Sequence, residues 1–273
     1  MASDKQVILI TGGHSGIGFE TVKALCRSPQ AYEIIIGSRT LSKAEAAISS
    51  LREEVPQTAS TVTVLQTDLS SDSSLKRVAE SIGAKYGRLD ILVNNAGNGF
   101  DMALARGEIS MREAFSASWD TNVVGPHILT FHLAPLLIKS SNPRLVFVSS
   151  GTSSLADSER HDTPSWEIIN NPPPAGWPKK EAAFPVTSYR ASKTGLNMVM
   201  REWDRMLKND GVKVWGLEPG FLATTFAGSN PADLKAMGAG DPKTGGELIR
   251  NVVEGGMDAY VGKVVREDGV QPW

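Results

Sequence analysis

A tyrosine and a lysine stand four residues apart in the stretch SYRASK, as Tyr189 and Lys193. In a helix that spacing is just over one turn, so the two side chains share a face. A free phenol holds its proton to a pKa near ~10, too high for ready exchange at neutral pH. A nearby ammonium favours the phenolate and lowers that value. Such a pair could donate and recover a proton. Two residues this common also meet by chance on solvated surfaces, so the chemical reading requires other segments to build a pocket around them.

A second stretch, ILITGGHSGIGFE, supplies a candidate wall of that pocket. Gly12, Gly16 and Gly18 follow the spacing G-x-x-x-G-x-G between an apolar run and a helical pattern. A tight turn needs residues that tolerate positive φ. A pyrophosphate needs bare backbone N–H groups and a helix N-terminus aimed at it. A glycine turn alone is a weak signal, but strand before and helix after is the context that supports it. In dinucleotide folds, an acid about 20 residues on takes the ribose 2′-hydroxyl, whereas an arginine there accepts a 2′-phosphate. Here the chain reads IIIGSRTLSKAE, with Ser38 in place of the acid and Arg39 after it. No acidic residue lies between Glu33 and Glu45. This points to NADP(H) over NAD(H). Ser42 and Glu45 match a capping box opening the next helix, which leaves Arg39 in the loop. His14 is either a helper of Arg39 or a plain solvated histidine.

These residues need elements to place them. Apolar, β-branched runs at 7–10, 34–36, 62–65, 91–93, 145–148 and 212–217 predict strands. Several are apolar on successive residues, as strands covered on both faces should be. Helical periodicity separates them at 17–27, 43–54, 75–86, about 118–139 and 187–208. The alternation predicts an α/β fold, a doubly wound parallel sheet flanked by helices, in a single domain spanning 1–273. Two segments break the rhythm. Residues 151–186 contain NNPPPAGWP, whose prolines exclude helix and central strand. Residues 221–243 are rich in Gly, Ala, Asp and Pro. Both follow a strand, hence lie at its carboxyl end, where open α/β sheets bind ligands.

Composition narrows the function classes. The 273 residues, 41% hydrophobic, can bury one sizeable core. A net charge of −2 gives no general attraction to nucleic acid. The single cysteine, Cys26, excludes an internal disulfide and reads as a small core residue. The four histidines (14, 127, 132 and 161) make no metal-ligand spacing. The opening segment's apolar run is too short for a signal peptide, and ILTFHLAPLLI from Ile128 is far below bilayer length. A soluble, cytoplasmic protein is expected.

In this order, the motifs resemble those of the short-chain dehydrogenase/reductase family along nearly the whole chain. Thr11-Gly12-x-x-x-Gly16-Ile17-Gly18 is similar to its cofactor loop. Asp68, in TDLS, matches the aspartate that binds adenine. Asn95, in NNAG, matches the residue that touches the adenosine ribose. Asn122, in DTNVVG, matches the catalytic asparagine, and Ser150, the second serine of VFVSS, the catalytic serine. Tyr189 and Lys193 match the Tyr-x-x-x-Lys pair. Pro219-Gly220 and Thr224, in EPGFLATT, match the segment that holds the nicotinamide carboxamide. The resemblance further implies cofactor contacts from Ser15, Ile17, Leu69 and Leu222.

The resemblance also implies roles. Tyr189 acts as general acid in carbonyl reduction and base in alcohol oxidation. Lys193 tunes Tyr189 and binds the nicotinamide ribose, Ser150 hydrogen-bonds the substrate oxygen, and Asn122 fixes a water that links Lys193 to solvent. Ser150 and Tyr189 are 39 residues apart, far more than in many members. Carbonyl-reductase-type members carry a comparable insertion, and some of those are monomers, so a monomer or dimer is favoured over a tetramer. The tail GKVVREDGVQPW resembles fungal reductases of the family, some from secondary metabolism. Trp166, Trp177, Phe184, Phe221 and Phe226 lie in or beside the long loops and either line an apolar pocket or pin the loops. The expected activity is NADPH-dependent reduction of a hydrophobic ketone or aldehyde. Enoyl reduction or dehydration, or a low-turnover NADPH-binding regulator, are the competing readings.

Overall fold

The computed structural model describes residues 5–179 and 186–273. Eight strands form one sheet: β1 (Gln6–Thr11), β2 (Tyr32–Ser38), β3 (Thr61–Gln66), β4 (Ile91–Asn94), β5 (Arg144–Val148), β6 (Lys213–Leu217), β7 (Val264–Arg266) and β8 (Gly269–Val270). Their spatial order is β3-β2-β1-β4-β5-β6-β7-β8. All neighbours run parallel except β7 and β8. The order reverses between β1 and β4, which opens a crevice at their carboxyl ends.

Helices connect the strands. They are α1 (Gly16–Cys26), α2 (Leu41–Glu54), α3 (Asp72–Tyr86), α4 (Asp101–Ala105), α5 (Met111–Trp119), α6 (Gly125–Leu137), α7 (Pro164–Asn170), α8 (Thr187–Leu207), α9 (Pro231–Ala236) and α10 (Pro242–Val253). Strand residues alternate between two cores. Val7 and Leu9 point to one that includes Leu75, Leu133 and Met200, under α3, α6 and α8. Ile8 and Ile10 point to the other, with Val22, Ala44 and Ile249, under α1, α2 and α10. Period-two geometry sends successive side chains to opposite faces, and here both faces are dry, which explains the unbroken apolar runs. Cys26 is a buried core residue, as expected.

The structure departs from the sequence expectations in four places. Strands β7 and β8 were not anticipated, because runs of three and two residues carry no readable alternation. The expected helix at 118–139 begins earlier, at Met111, and continues through a π-turn, Asp120–Val124, into α6. The anticipated capping box at Ser42 is not formed. Helix α2 starts one residue earlier, at Leu41, with Thr40 as N-cap and no side-chain cap bond, so Ser42 already lies in the first turn. The capping box occurs instead at Ser110 and Glu113, opening α5. The segments read as loops also hold short helices, α7 in 151–186 and α9 in 221–243. Phe184 lies outside the described residues. Among the described residues, no helix is long and apolar enough to cross a membrane, and no cluster of His, Cys, Asp or Glu could hold a metal.

Candidate active site

The glycine loop leaves β1 and enters α1 at the crevice. Gly12 has φ 67° and Gly16 φ 51°, conformations that glycine adopts without steric cost. A Cβ on Gly18 would lie 2.5 Å from both the Asn95 amide nitrogen and the Gly12 carbonyl oxygen, so only hydrogen fits. Asn95 donates from Nδ2 to the Thr11 carbonyl at 2.8 Å, and the Thr11 hydroxyl accepts from the Asn95 and Ala96 N–H groups at 3.0 Å each. The loops after β1 and β4 are thereby fixed to each other. Ser15 is the N-cap of α1, but its side chain caps no N–H. Ile17, Leu222 and Pro219 converge on Gly245 of α10, where a Cβ would meet each within 3.3 Å. This contact brings the segment after β6 alongside the glycine loop.

A cavity of about 850 Å³ runs along these strand ends. It is lined by Gly12, Ser15, Gly16, Ile17, Arg39, Asp68, Leu69, Asn95, Ser150, Tyr189, Lys193, Pro219, Leu222 and Thr224, among others. Of the residues singled out from the sequence, Gly18 and Asn122 lie just behind the wall. At one end, Arg39, Lys43 and His14 face the same space. The His14 Nδ1 is buried with no hydrogen-bond partner. Burial lowers the His14 pKa, and the Lys43 charge lowers it further. An anion there would relieve both. Asp68 accepts at Oδ1 from the Ser70 N–H (3.1 Å) and hydroxyl (2.8 Å). Ser38 turns away, donating to the Thr40 carbonyl at 2.9 Å. The cradle, the uncapped helix start and the basic end fit a dinucleotide carrying a 2′-phosphate.

The other end holds the Tyr189–Lys193 pair. Both sit in the first two turns of α8, on the cavity face. The buried Lys193 ammonium donates to the Val148 carbonyl at the end of β5, at 2.7 Å. Asn122 lies in the π-turn, a device often found at functional sites. Its Nδ2 donates to the Asn98 carbonyl (2.8 Å) and the Ser192 hydroxyl (2.9 Å), and its Oδ1 accepts from the Asn98 N–H (2.9 Å). A Cβ on Gly97 would stand 2.8 Å from Asn122 Oδ1 and 3.3 Å from Lys193 Nζ. Asn122 and Lys193 therefore flank the same glycine of NNAG.

The pKa of Tyr189 corrects an expectation. Adjacent Lys193 was expected to lower it. Burial instead pushes it up to about 12; the nearby Ser150 hydroxyl opposes the rise and the Glu218 carboxylate adds to it. Burial also drives Lys193 down to about 8. The ammonium points to a strand carbonyl and is itself weakened by desolvation, so it does not dominate the phenol's surroundings. At neutral pH the phenol keeps its proton, as a donor must.

One contributor, Asp101, carried no legible signal. The buried Asp101, from α4, accepts the Ser188 N–H (2.8 Å), the Ser188 hydroxyl (2.8 Å) and the Tyr189 N–H (3.0 Å). It caps the start of α8 from a distant segment, which no local pattern announces. Phe226 packs on Tyr189 with ring centroids 5.1 Å apart. Lys43, one turn past Arg39, could have been read from its spacing. Of the loop aromatics, Trp166, Phe221 and Phe226 line the cavity, whereas Trp177 is 88% exposed and stands off it.

The model of the short chain dehydrogenase family matches residues 6–159. The short-chain dehydrogenase/reductase tropE of Talaromyces stipitatus is 44% identical over 272 residues, covering 99% of both chains. The short-chain dehydrogenase/reductase eupG of Phoma sp is 43% identical over 281 residues, covering 100% of this chain and 99% of the relative. Among solved structures, the NADPH-bound carbonyl reductase from chicken fatty liver superposes with a TM-score of 0.76 at 20% identity, covering 98% of this chain and 99% of the other. That likeness is one of fold.

Lys193 gives a pH test of this geometry. Its ordinary value is 10.5, and in the fold it is about 8. Between those values the unfolded chain holds more protons than the folded one, so this group makes stability rise with pH across that window. The unfolding free energy of the wild type minus that of Lys193→Met should increase by about 2 kcal/mol from pH 7 to pH 10. Urea unfolding at both pH values measures it; a flat or falling difference contradicts the burial.

Proposed function

The chain belongs to the short-chain dehydrogenase/reductase family, and on that footing we propose that it is an NADPH-dependent reductase of a hydrophobic ketone or aldehyde, reversibly an alcohol dehydrogenase. One observation carries the reading. Tyr189, Ser150 and Lys193 share a single cavity with the glycine loop and with a basic end made by Arg39, Lys43 and His14. An acid–base group and a phosphate cradle in one cleft suit transfer between a nucleotide and a small carbonyl.

Bound there, NADPH would supply a hydride to the carbonyl carbon. The glycine loop would hold the pyrophosphate, Asp68, Leu69 and Asn95 the adenosine, and Pro219, Leu222 and Thr224 the nicotinamide end. Arg39, with no acidic residue between Glu33 and Glu45 in its loop, would take the 2′-phosphate. Ser150, which lines the cavity with Tyr189, would orient the carbonyl oxygen. Tyr189 gives its phenolic proton to that oxygen as charge develops on it. Lys193 would hold the nicotinamide ribose and, when protonated, stabilise the phenolate left once Tyr189 has given up its proton. Asn122 braces the 97–98 backbone against α8 through Asn98 and Ser192. Trp166, Phe221 and Phe226 exclude water and favour an apolar substrate.

Removing only the phenolic oxygen tests the acid. Tyr189→Phe should lower turnover of a responsive ketone about 10²-fold or more while NADPH still binds; near-normal turnover refutes the assignment. Arg39→Asp should raise the dissociation constant for NADPH far more than for NADH, read by fluorescence titration. Equal losses for the two cofactors argue against the 2′-phosphate reading.

A further inference from the structure

One carboxylate in the cavity has no part in the chemistry above. Glu218 ends β6's run into the Pro219-Gly220 turn and lines the same cavity as Ser150 and Tyr189. Its Oε1 accepts the Gly220 N–H at 2.7 Å. A Cβ on Gly151 would lie 3.2 Å from that oxygen, so the carboxylate is seated against the residue that follows Ser150. Glycine at 151 makes the room.

The carboxylate is short of donors. Among the described residues its Oε2 accepts no hydrogen bond, and no cation stands within ion-pair distance. The charges around it are mixed: Arg266 favours the carboxylate, while Asp157 and Asp268 oppose it. Arg266 is itself engaged by Asp268 at 2.7 Å and Asp157 at 3.8 Å. Glu218 is half-buried, and that burial raises its pKa. The cavity wall mixes the Ser150 and Thr152 hydroxyls with apolar Phe221, Leu222 and Phe226.

We propose that Glu218 is a substrate-recognition residue, whose free carboxylate oxygen accepts a hydrogen bond from a hydroxyl carried on the same ring or chain as the reacting carbonyl. This rests on the carbonyl-reductase reading and narrows it, from a hydrophobic ketone to a hydroxylated one, with phenolic ketones and aldehydes the fitting class. A hydroxyl suits the site better than an ammonium. Stripping water from a full positive charge in an apolar pocket costs more than stripping it from a neutral donor. A site built to receive a hydroxyl discriminates against the analogue that lacks it, because the acceptor that the bound ligand covers is then left unpaired.

The test is binding of acetophenone, its ortho- and meta-hydroxy derivatives and an ammonium-bearing analogue to the NADP⁺-loaded enzyme, followed by calorimetry. With the oxidised cofactor no ketone is consumed, so affinity is read apart from turnover. The wild type should bind at least one hydroxylated ketone about 10-fold more tightly than acetophenone. Glu218→Leu should compress that ratio to about 2-fold or less, and Glu218→Gln, which keeps a carbonyl acceptor, should fall between. Near-ultraviolet circular dichroism checks that both variants fold, and the ratio within each variant cancels any general loss of affinity. Equal affinities in the wild type, an undiminished ratio in Glu218→Leu, or preference for the ammonium analogue would overturn the proposal. NADPH oxidation is followed in parallel. Hydroxyl preference without oxidation sinks the reductase reading and leaves the recognition; oxidation without preference does the reverse.

Discussion

Lys193 sets the constraint on which the site depends: an ammonium held inside the protein must be given an acceptor, and the fold offers one at a strand end. The Val148 carbonyl at the carboxyl end of β5 accepts its hydrogen bond at 2.7 Å. Burying an unpartnered charge is costly enough that the group would sooner give up its proton, and Lys193 shows part of that cost in its lowered pKa. Once Lys193 is tied to β5, helix α8 cannot slide, and Tyr189, one turn earlier, is fixed over the same strand end. The phenol loses water by the same burial and keeps its proton. Phenol and ammonium are thus held by one helix pinned to one strand.

The pinning is reinforced from elements far apart in the chain. Asp101 ties α4 to the first turn of α8 by three hydrogen bonds. Ser118 of α5 shares a hydrogen bond with Ser188 at 2.9 Å. Ser149, beside the Ser150 position, donates to Asn197 of α8, and Ser153 accepts from the same amide at 2.9 Å. The Gln271 side chain reaches the Ser150 carbonyl at 3.3 Å from the segment after β8. Together these contacts brace the start of α8 and the turn after β5, and the Asn197 amide joins the two directly. Preorganisation of this kind spares the reacting groups from reordering during the reaction. The nucleotide end is organised separately, by the Thr11–Asn95 exchange between β1 and β4.

Much of this was legible in the sequence, for identifiable reasons. Buried parallel strands are apolar on successive residues, so β1, β2, β4, β5 and β6 announced themselves. A glycine turn between strand and helix, the missing acid near Arg39 and the Tyr-x-x-x-Lys spacing are all local patterns, and the structure gathers them into one cavity. What stayed hidden was set by tertiary contact. The short β7 and β8 exist because β6 offers an edge, not because three residues of VVR favour a strand. Asp101 and Glu218 look like ordinary acids until the fold places one at a helix start and the other against Gly151. The sign of the Tyr189 shift was misjudged because spacing reveals a neighbour and is silent on desolvation, which here outweighs it.

The central claim is that this cleft delivers hydride to a carbonyl carbon while a protein phenol protonates its oxygen. The most direct measurement uses NADPH deuterated at the transferable position with an aromatic ketone, and follows the label by NMR. The account requires one deuterium on the new carbinol carbon, of a single configuration. Deuterium placed on the carbon β to an intact carbonyl when an enone is supplied, or NADPH bound and left unoxidised across a panel of ketones and aldehydes, would contradict it.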